Sequence, residues 1–118
     1  MKHQIKNKKM NLSCKHRKAF LRNQVLHFIK YDKLETTLTH VKEVRRLAER
    51  VVTIAKAGNT YINRRKVNQI LPYDNDAVLK LFTDIAPQYV TRPGGYTRIY
   101  RLGVRLGDTA TMGLLTWV

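Results

Sequence analysis

Cysteine is nearly missing from this chain, which has Cys14 alone among 118 residues. That excludes an internal disulfide and a multi-cysteine zinc site, and it fits a reducing compartment. Long apolar runs are missing too. No window nears the ~18 consecutive apolar residues of a membrane span, and no apolar stretch follows the basic start as it does in a signal peptide. Acidic residues are scarce: 8 Asp and Glu stand against 23 Lys and Arg, giving a formal charge of +15 and a pI near 10.4. Self-repulsion of that size disfavours a compact state unless a polyanion neutralises it. Nucleic acid or an anionic membrane is the expected partner, and helix one, interrupted by Asn23 and Gln24 and lacking tryptophan, suits a membrane poorly.

Catalytic patterns are absent as well. His3, His16, His27 and His40 are scattered with no HExxH spacing, so a zinc hydrolase has no support. Asp74 and Asp76 stand at a helix start, where capping explains them. Gly94-Gly95 lacks the length and the Lys-Ser/Thr of a phosphate-gripping loop. No enzyme, cofactor, metal or small-molecule substrate is expected. RNP aromatics, paired cysteines and basic-fork heptads are also lacking, which removes the sequence-specific DNA modules and leaves backbone and shape reading of folded RNA.

What is present suffices for one modest core, with 43% hydrophobic residues in a length typical of a single domain. Residues 1–30 carry nine Lys or Arg and no acid. Within them, residues 1–12 have neither helical nor alternating apolar period, so they read as a basic extended arm, disordered without a partner. Residues 13–118 read as the folded domain. Ser13 caps a first helix to about Tyr31 with Cys14, Leu21, Val25 and Phe28 on its apolar side, which would bury Cys14. Leu34–Thr37 is a brief strand. Thr39 caps a second helix whose apolar stripe is Val41, Val44, Ala48, Val51 and Ala55, and Gly58 gives a left-handed stop. A third helix starts at Asn59 or Thr60 and ends before Pro72. A fourth, capped by Asp74, presents Val78, Leu81, Phe82 and Ile85 and is closed by Pro87. Two strands follow the Pro93-Gly94-Gly95 breaker, joined by a loop at Gly107–Ala110. The expected fold is α+β in the order α-β-α-α-α-β-β, with four helices on one face of a small three-stranded sheet.

Basic residues fall into three sets. The arm and helix one supply Lys2, Lys6, Lys8, Lys9, Lys15, Arg17, Lys18 and Arg22. The middle supplies Asn63, Arg64, Arg65 and Lys66, and the tail Arg92, Arg98, Arg101 and Arg105, with Tyr96 and Tyr100 as stacking surfaces. A charge run is ordinarily a solvated face, but Lys15, Lys18 and Arg22 have no acid four residues away, which favours a polyanion. Arg45, Arg46 and Arg50, with Glu43 and Glu49 nearby, fit the solvated face better.

Four ordered blocks, Ser13–Asn23 (SCKHRKAFLRN), Glu35–Arg46 (ETTLTHVKEVRR), Asn63-Arg64-Arg65 and Arg92–Asp108 (RPGGYTRIYRLGVRLGD), resemble the bacterial-type large-subunit ribosomal protein seventeen family. The likeness spans essentially the whole chain. Met1-Lys2-His3 is similar to the family's Met-Arg-His start, whereas Gln4, Asn7, Lys8 and Leu12 depart from its arm. The resemblance implies an α+β, non-enzymatic protein bound to large-subunit rRNA on the solvent side near the nascent-chain tunnel exit. It would sit among neighbouring large-subunit proteins, in a cytoplasmic bacterial ribosome more than an organellar one. It also implies rRNA contacts by His3, Asn11, His16, Arg17, Arg22 and Asn23, and by Arg64, Arg65, Arg92, Tyr96, Thr97 and Arg98. The rival expectation is a regulatory nucleic-acid-binding module outside the ribosome.

Overall fold

Ser13 accepts the His16 N–H through its hydroxyl at 3.3 Å and so starts helix α1 (Cys14–Tyr31). The computed structural model describes residues 12–118, so the arm expected at 1–12 lies outside the described residues except for Leu12. Helix α1 divides along its length. Val25, Leu26, Phe28 and Ile29 are buried, whereas its first turns are open to solvent and Cys14 is exposed rather than covered. Cys14 is the first helical residue, two turns and more ahead of the point where α1 meets the body. Asp32 ends the helix at φ 63°, its N–H bonded to the Phe28 carbonyl.

Strand β1 (Lys33–Thr37) runs straight into helix α2 (Leu38–Lys56). The cap is therefore Thr37, not Thr39, and its side chain caps nothing, because Thr37 is still paired with Met112 in the sheet. The expected α2 stripe is buried, joined by Val52 and by Glu43. Gly58 stops the chain at φ 137°, a positive φ cheap only for glycine although outside the left-handed helical well. Helix α3 (Tyr61–Ile70) is capped by Thr60 and buries only Val67; Tyr61 and Ile62 are exposed. Asp74 accepts N–H bonds from Asp76 and Ala77 at 3.0 and 3.2 Å and starts helix α4 (Asn75–Lys80). The chain then widens into a π-helical turn (Leu81–Ile85) and tightens into a 3₁₀ turn (Ala86–Tyr89). Pro87 accounts for both: it has no N–H to give and its ring crowds the carbonyl four residues back. Even so, Val78, Leu81, Phe82 and Ile85 are all buried, as their spacing predicts.

Strands β2 (Thr97–Val104) and β3 (Thr111–Trp117) complete an antiparallel sheet ordered β1-β3-β2, so the last strand lies in the middle. Leu34, Leu115 and Ile99 align across it on the face turned to the helices. A bulge at Leu102 shifts the β2 register, with Gly103 at φ 98°. Where α2 crosses β3, a side chain on Gly113 would come within 3.1 Å of Leu38 Cδ1. At the other end of β3, Trp117 stacks on Phe28 with ring centroids 4.2 Å apart, beside Tyr89. Ion pairs Lys30–Asp74 (3.2 Å) and Lys80–Asp32 (3.1 Å) link the end of α1 to α4. Both are solvent-screened, so they orient more than they stabilise.

Phe28 has no exposed surface and anchors this stack. Phe28→Ala should cost about 3–5 kcal/mol in urea unfolding, whereas Lys18→Ala, on the solvent side of the same helix, should stay within about 0.5 kcal/mol. Equal losses would show that the two faces of α1 have been confused.

Candidate nucleic-acid interface

The exposed half of α1 carries Lys15, His16, Lys18 and Asn23 in solvent, with Arg17 and Arg22 half-buried. Arg17 donates to the Leu12 carbonyl at 3.2 Å. Lys18 and Arg22, one turn apart, face Arg46 and Arg50 of α2 across a groove of about 330 Å³, with Leu21, Leu47 and Ile70 as apolar lining and Glu43 within it. A second depression of about 390 Å³ lies over the other flank of α2, bordered by Lys42, Arg45, Arg46, Glu49 and Ile99. Arg46 borders both, so basic lining passes from α1 across α2 toward the sheet.

Lys42, Arg46 and Arg50 thus join the site although sequence reasoning set Arg46 and Arg50 aside as a neutralised solvated face. The signal was there: the three stand at i, i+4 and i+8, one stripe of a helix. What hid it was counting Glu49 as a partner for this stripe. Glu49 instead accepts the Thr97 N–H at 3.2 Å and the Thr97 hydroxyl at 2.6 Å, and Arg45 bridges to it at 3.5 Å. Glu43 is buried.

The middle set splits. Arg64 and Arg65 are exposed on α3, but the Asn63 amide donates to the Gly58 carbonyl at 2.9 Å and is held inside the loop. The tail set splits further. Arg98 and Tyr100 lie on the sheet face away from the helices and Arg101 on the opposite face, all exposed. Arg92 is half-buried, lies 5.2 Å over the Tyr89 ring and donates to the Val118 carbonyl at 3.1 Å. Arg105 makes a paired bridge to Asp108 at 3.0 and 2.7 Å. That bridge, with the Ala110 N–H, holds the Asp108 carboxyl down at about 2.

Tyr96 and Thr97 do not belong on the surface where the sequence expectation put them. They are 1% and 4% exposed. Sheet pleating turns Thr97 inward to Glu49, and the Tyr96 ring packs against Tyr89 with its hydroxyl 3.3 Å from Thr53 Oγ1. Lys56 Nζ sits 5.2 Å from the Tyr96 ring and donates to the Arg92 carbonyl. Burial opposes ionisation of the Tyr96 phenol, but the bonds to Lys56 and Thr53 outweigh it and hold its pKa below the usual value. Both residues therefore brace the start of β2, and Tyr100 is left as the exposed ring of the pair. Lys2, His3, Lys6, Lys8, Lys9 and Asn11 lie outside the described residues. Among the described residues no helix is long and apolar enough to cross a membrane, and no three His, Cys, Asp or Glu cluster as metal ligands would.

The sequence profile of the family described as Ribosomal protein L17 matches residues 20–118. The chain belongs to the ribosomal protein L17 family. It is 43% identical over 112 residues to the large ribosomal subunit protein bL17 of Clostridium kluyveri, covering 95% of this chain and 97% of that one. It is 46% identical to the bL17 protein of Desulforudis audaxviator over 111 residues, 94% of this chain and 97% of that one. Its identity to the Fusobacterium nucleatum bL17 protein is 42% over 118 residues, the whole of both chains. The L17 match takes in Arg22, Arg46 and Arg50 of the groove and all of the sheet.

The Arg105–Asp108 bridge has a measurable signature. Because the Asp108 pKa is lowered in the fold, the bridge contributes above the ordinary carboxylate range and is lost as pH falls through about 2. In an NMR pH titration, Arg105→Gln should return Asp108 toward about 3.9. An unmoved titration would remove Arg105 as the cause.

Proposed function

We propose that this L17-family chain is a non-enzymatic structural constituent of the large ribosomal subunit that binds folded large-subunit rRNA and packs beside neighbouring large-subunit proteins. Its place would be the solvent side near the polypeptide exit tunnel, in the cytoplasmic ribosome of a bacterium. Family membership and relatives named as large-subunit proteins support the ribosomal reading. The observation that carries RNA binding is the groove in which two helices each contribute two cations, Lys18 and Arg22 opposite Arg46 and Arg50.

Such a groove suits a ribose-phosphate backbone. Arginine grips phosphate oxygens with paired donors and lysine acts as a point charge, while the gain comes largely from released counterions. Fixing the cations on two packed helices orders them before RNA arrives, so less freedom is lost on binding. Arg64, Arg65, Arg98 and Arg101 add further exposed cations around the body. The four lysines of residues 1–12, with no acid among them, would add to the same electrostatic contact.

Sedimentation of tagged protein from lysate tests the reading directly: it should travel with the large subunit after a high-salt wash. Free or DNA-associated protein would favour a regulatory module instead. Two charge deletions should then appear in salt titrations on an rRNA fragment. Replacing Lys18, Arg22 and Arg50 by Ala should flatten the log–log slope by up to about 2 units, and deleting residues 1–12 by up to about 3, at ~0.7 per cation on single strands. An unchanged slope in either variant would take that element off the RNA.

A further inference from the structure

Helices α3 and α4 enclose a separate, smaller pocket of about 210 Å³ whose chemistry differs from that of the groove. Its floor is apolar: Val78 and Phe82 line it with only 6% of each exposed. Its walls are amides. Asn68 of α3 and Asn75 of α4 border it from opposite sides, and Asn59 from the loop before α3. The helical repeat explains the convergence, since Arg64 and Asn68 are four apart on α3, while Asn75, Val78 and Phe82 follow at three and four on the chain opposite. Arg64 is fixed at the rim, donating to Asn59 Oδ1 at 3.0 Å. Asn68 and Asn75 make no side-chain hydrogen bond among the described residues, so each keeps a donor and an acceptor for a ligand.

An apolar floor under uncommitted amides is a poor phosphate site and a fitting one for a flat heterocycle. Recognition of single-stranded RNA proceeds by splaying out a base, stacking it on an apolar or aromatic surface and hydrogen-bonding its edge. We infer that this pocket receives one unstacked adenine of the bound RNA. An asparagine amide presents a donor and an acceptor side by side, which matches the adjacent N6 amino group and N7 of adenine. Guanine offers two acceptors on that edge and suits arginine instead. The surroundings supply the rest of a nucleotide path. Arg64 also borders a shallow face of α3 with Arg65 and Tyr61, where the cations can hold the flanking phosphates and the exposed Tyr61 ring can stack the next base.

The inference rests on the RNA-binding reading, and the two fail differently in one experiment. Fluorescence anisotropy with full-length protein would compare three oligouridylates of about nine nucleotides, carrying a central uridine, adenosine or guanosine. Adenosine should bind about tenfold tighter than uridine, within the range of one good bidentate contact, and tighter than guanosine. Asn68→Ala and Asn75→Ala should each bring the adenosine affinity close to that of uridine while leaving uridine binding and its salt slope unchanged. Both side chains are exposed, so the thermal midpoint should not move. Equal affinity for the three probes, or a guanosine preference, overturns the adenine pocket and leaves RNA binding standing; equal affinity is also what a pocket built for a protein side chain would give. Loss of uridine binding in the Asn variants overturns it as well, by making the amides general contacts. Failure of the wild-type chain to bind any of the three overturns the adenine pocket, and loss of binding to the rRNA fragment as well overturns the RNA-binding reading.

Discussion

Helix α2 lies as close as it does to the middle strand because Gly113 has no side chain. A Cβ there would press on Leu38 Cδ1 at 3.1 Å and meet the Leu38 backbone and Val41 at 3.5 Å. Much else hangs on that approach. Helix α2 packs against all three strands, against α1 and against α3, so its height over the sheet fixes where α1 can lie. That in turn sets the width of the groove between Lys18 and Arg22 on one side and Arg46 and Arg50 on the other. The aromatic stack of Phe28, Trp117 and Tyr89 closes the opposite end of β3. Close approach at one end and stacking at the other hold α1 and α2 to a common sheet.

The few acids matter through their positions. Glu49 is committed to the Thr97 backbone and hydroxyl, and Asp74 to the α4 cap and Lys30. Asp32 holds Lys80, and Asp108 holds Arg105. The structure thus uses carboxylates to fasten turns, helix ends and the start of β2. Much of the positive charge of α1 and α2 is left facing outward along two stripes, the arrangement that concentrates a potential over a cleft. In a chain of net charge +15 such a surface repels itself, and the packing beneath it must tolerate that repulsion.

Much of this was legible in the sequence. The order of elements, the capping by Ser13 and Asp74, the buried stripes of α2 and of Val78–Ile85 and the two closing strands all follow from local rules of period and cap. Those rules act within a few residues, so reading neighbours suffices. Errors came where distant elements meet. Cys14 has an apolar helical position but nothing packs over it. Thr37 displaces Thr39 as the cap because a strand pairing holds it in place. Tyr96 looked like a stacking surface beside arginines until Tyr89, Thr53 and Lys56 were seen to enclose it.

The sequence by itself determined the sign of the chain's own charge, the number and order of elements, and the α+β class, because charge balance and hydrophobic period are properties of the chain. Four blocks of matching residues also pointed to the ribosomal protein seventeen family, which the L17 match over residues 20–118 establishes. Only the tertiary structure decided which cations share a surface. Arg22 and Arg46 are 24 positions apart in the chain, and no local rule relates them. They line one groove because two helices each bury one face against the same sheet, which turns their remaining faces toward each other.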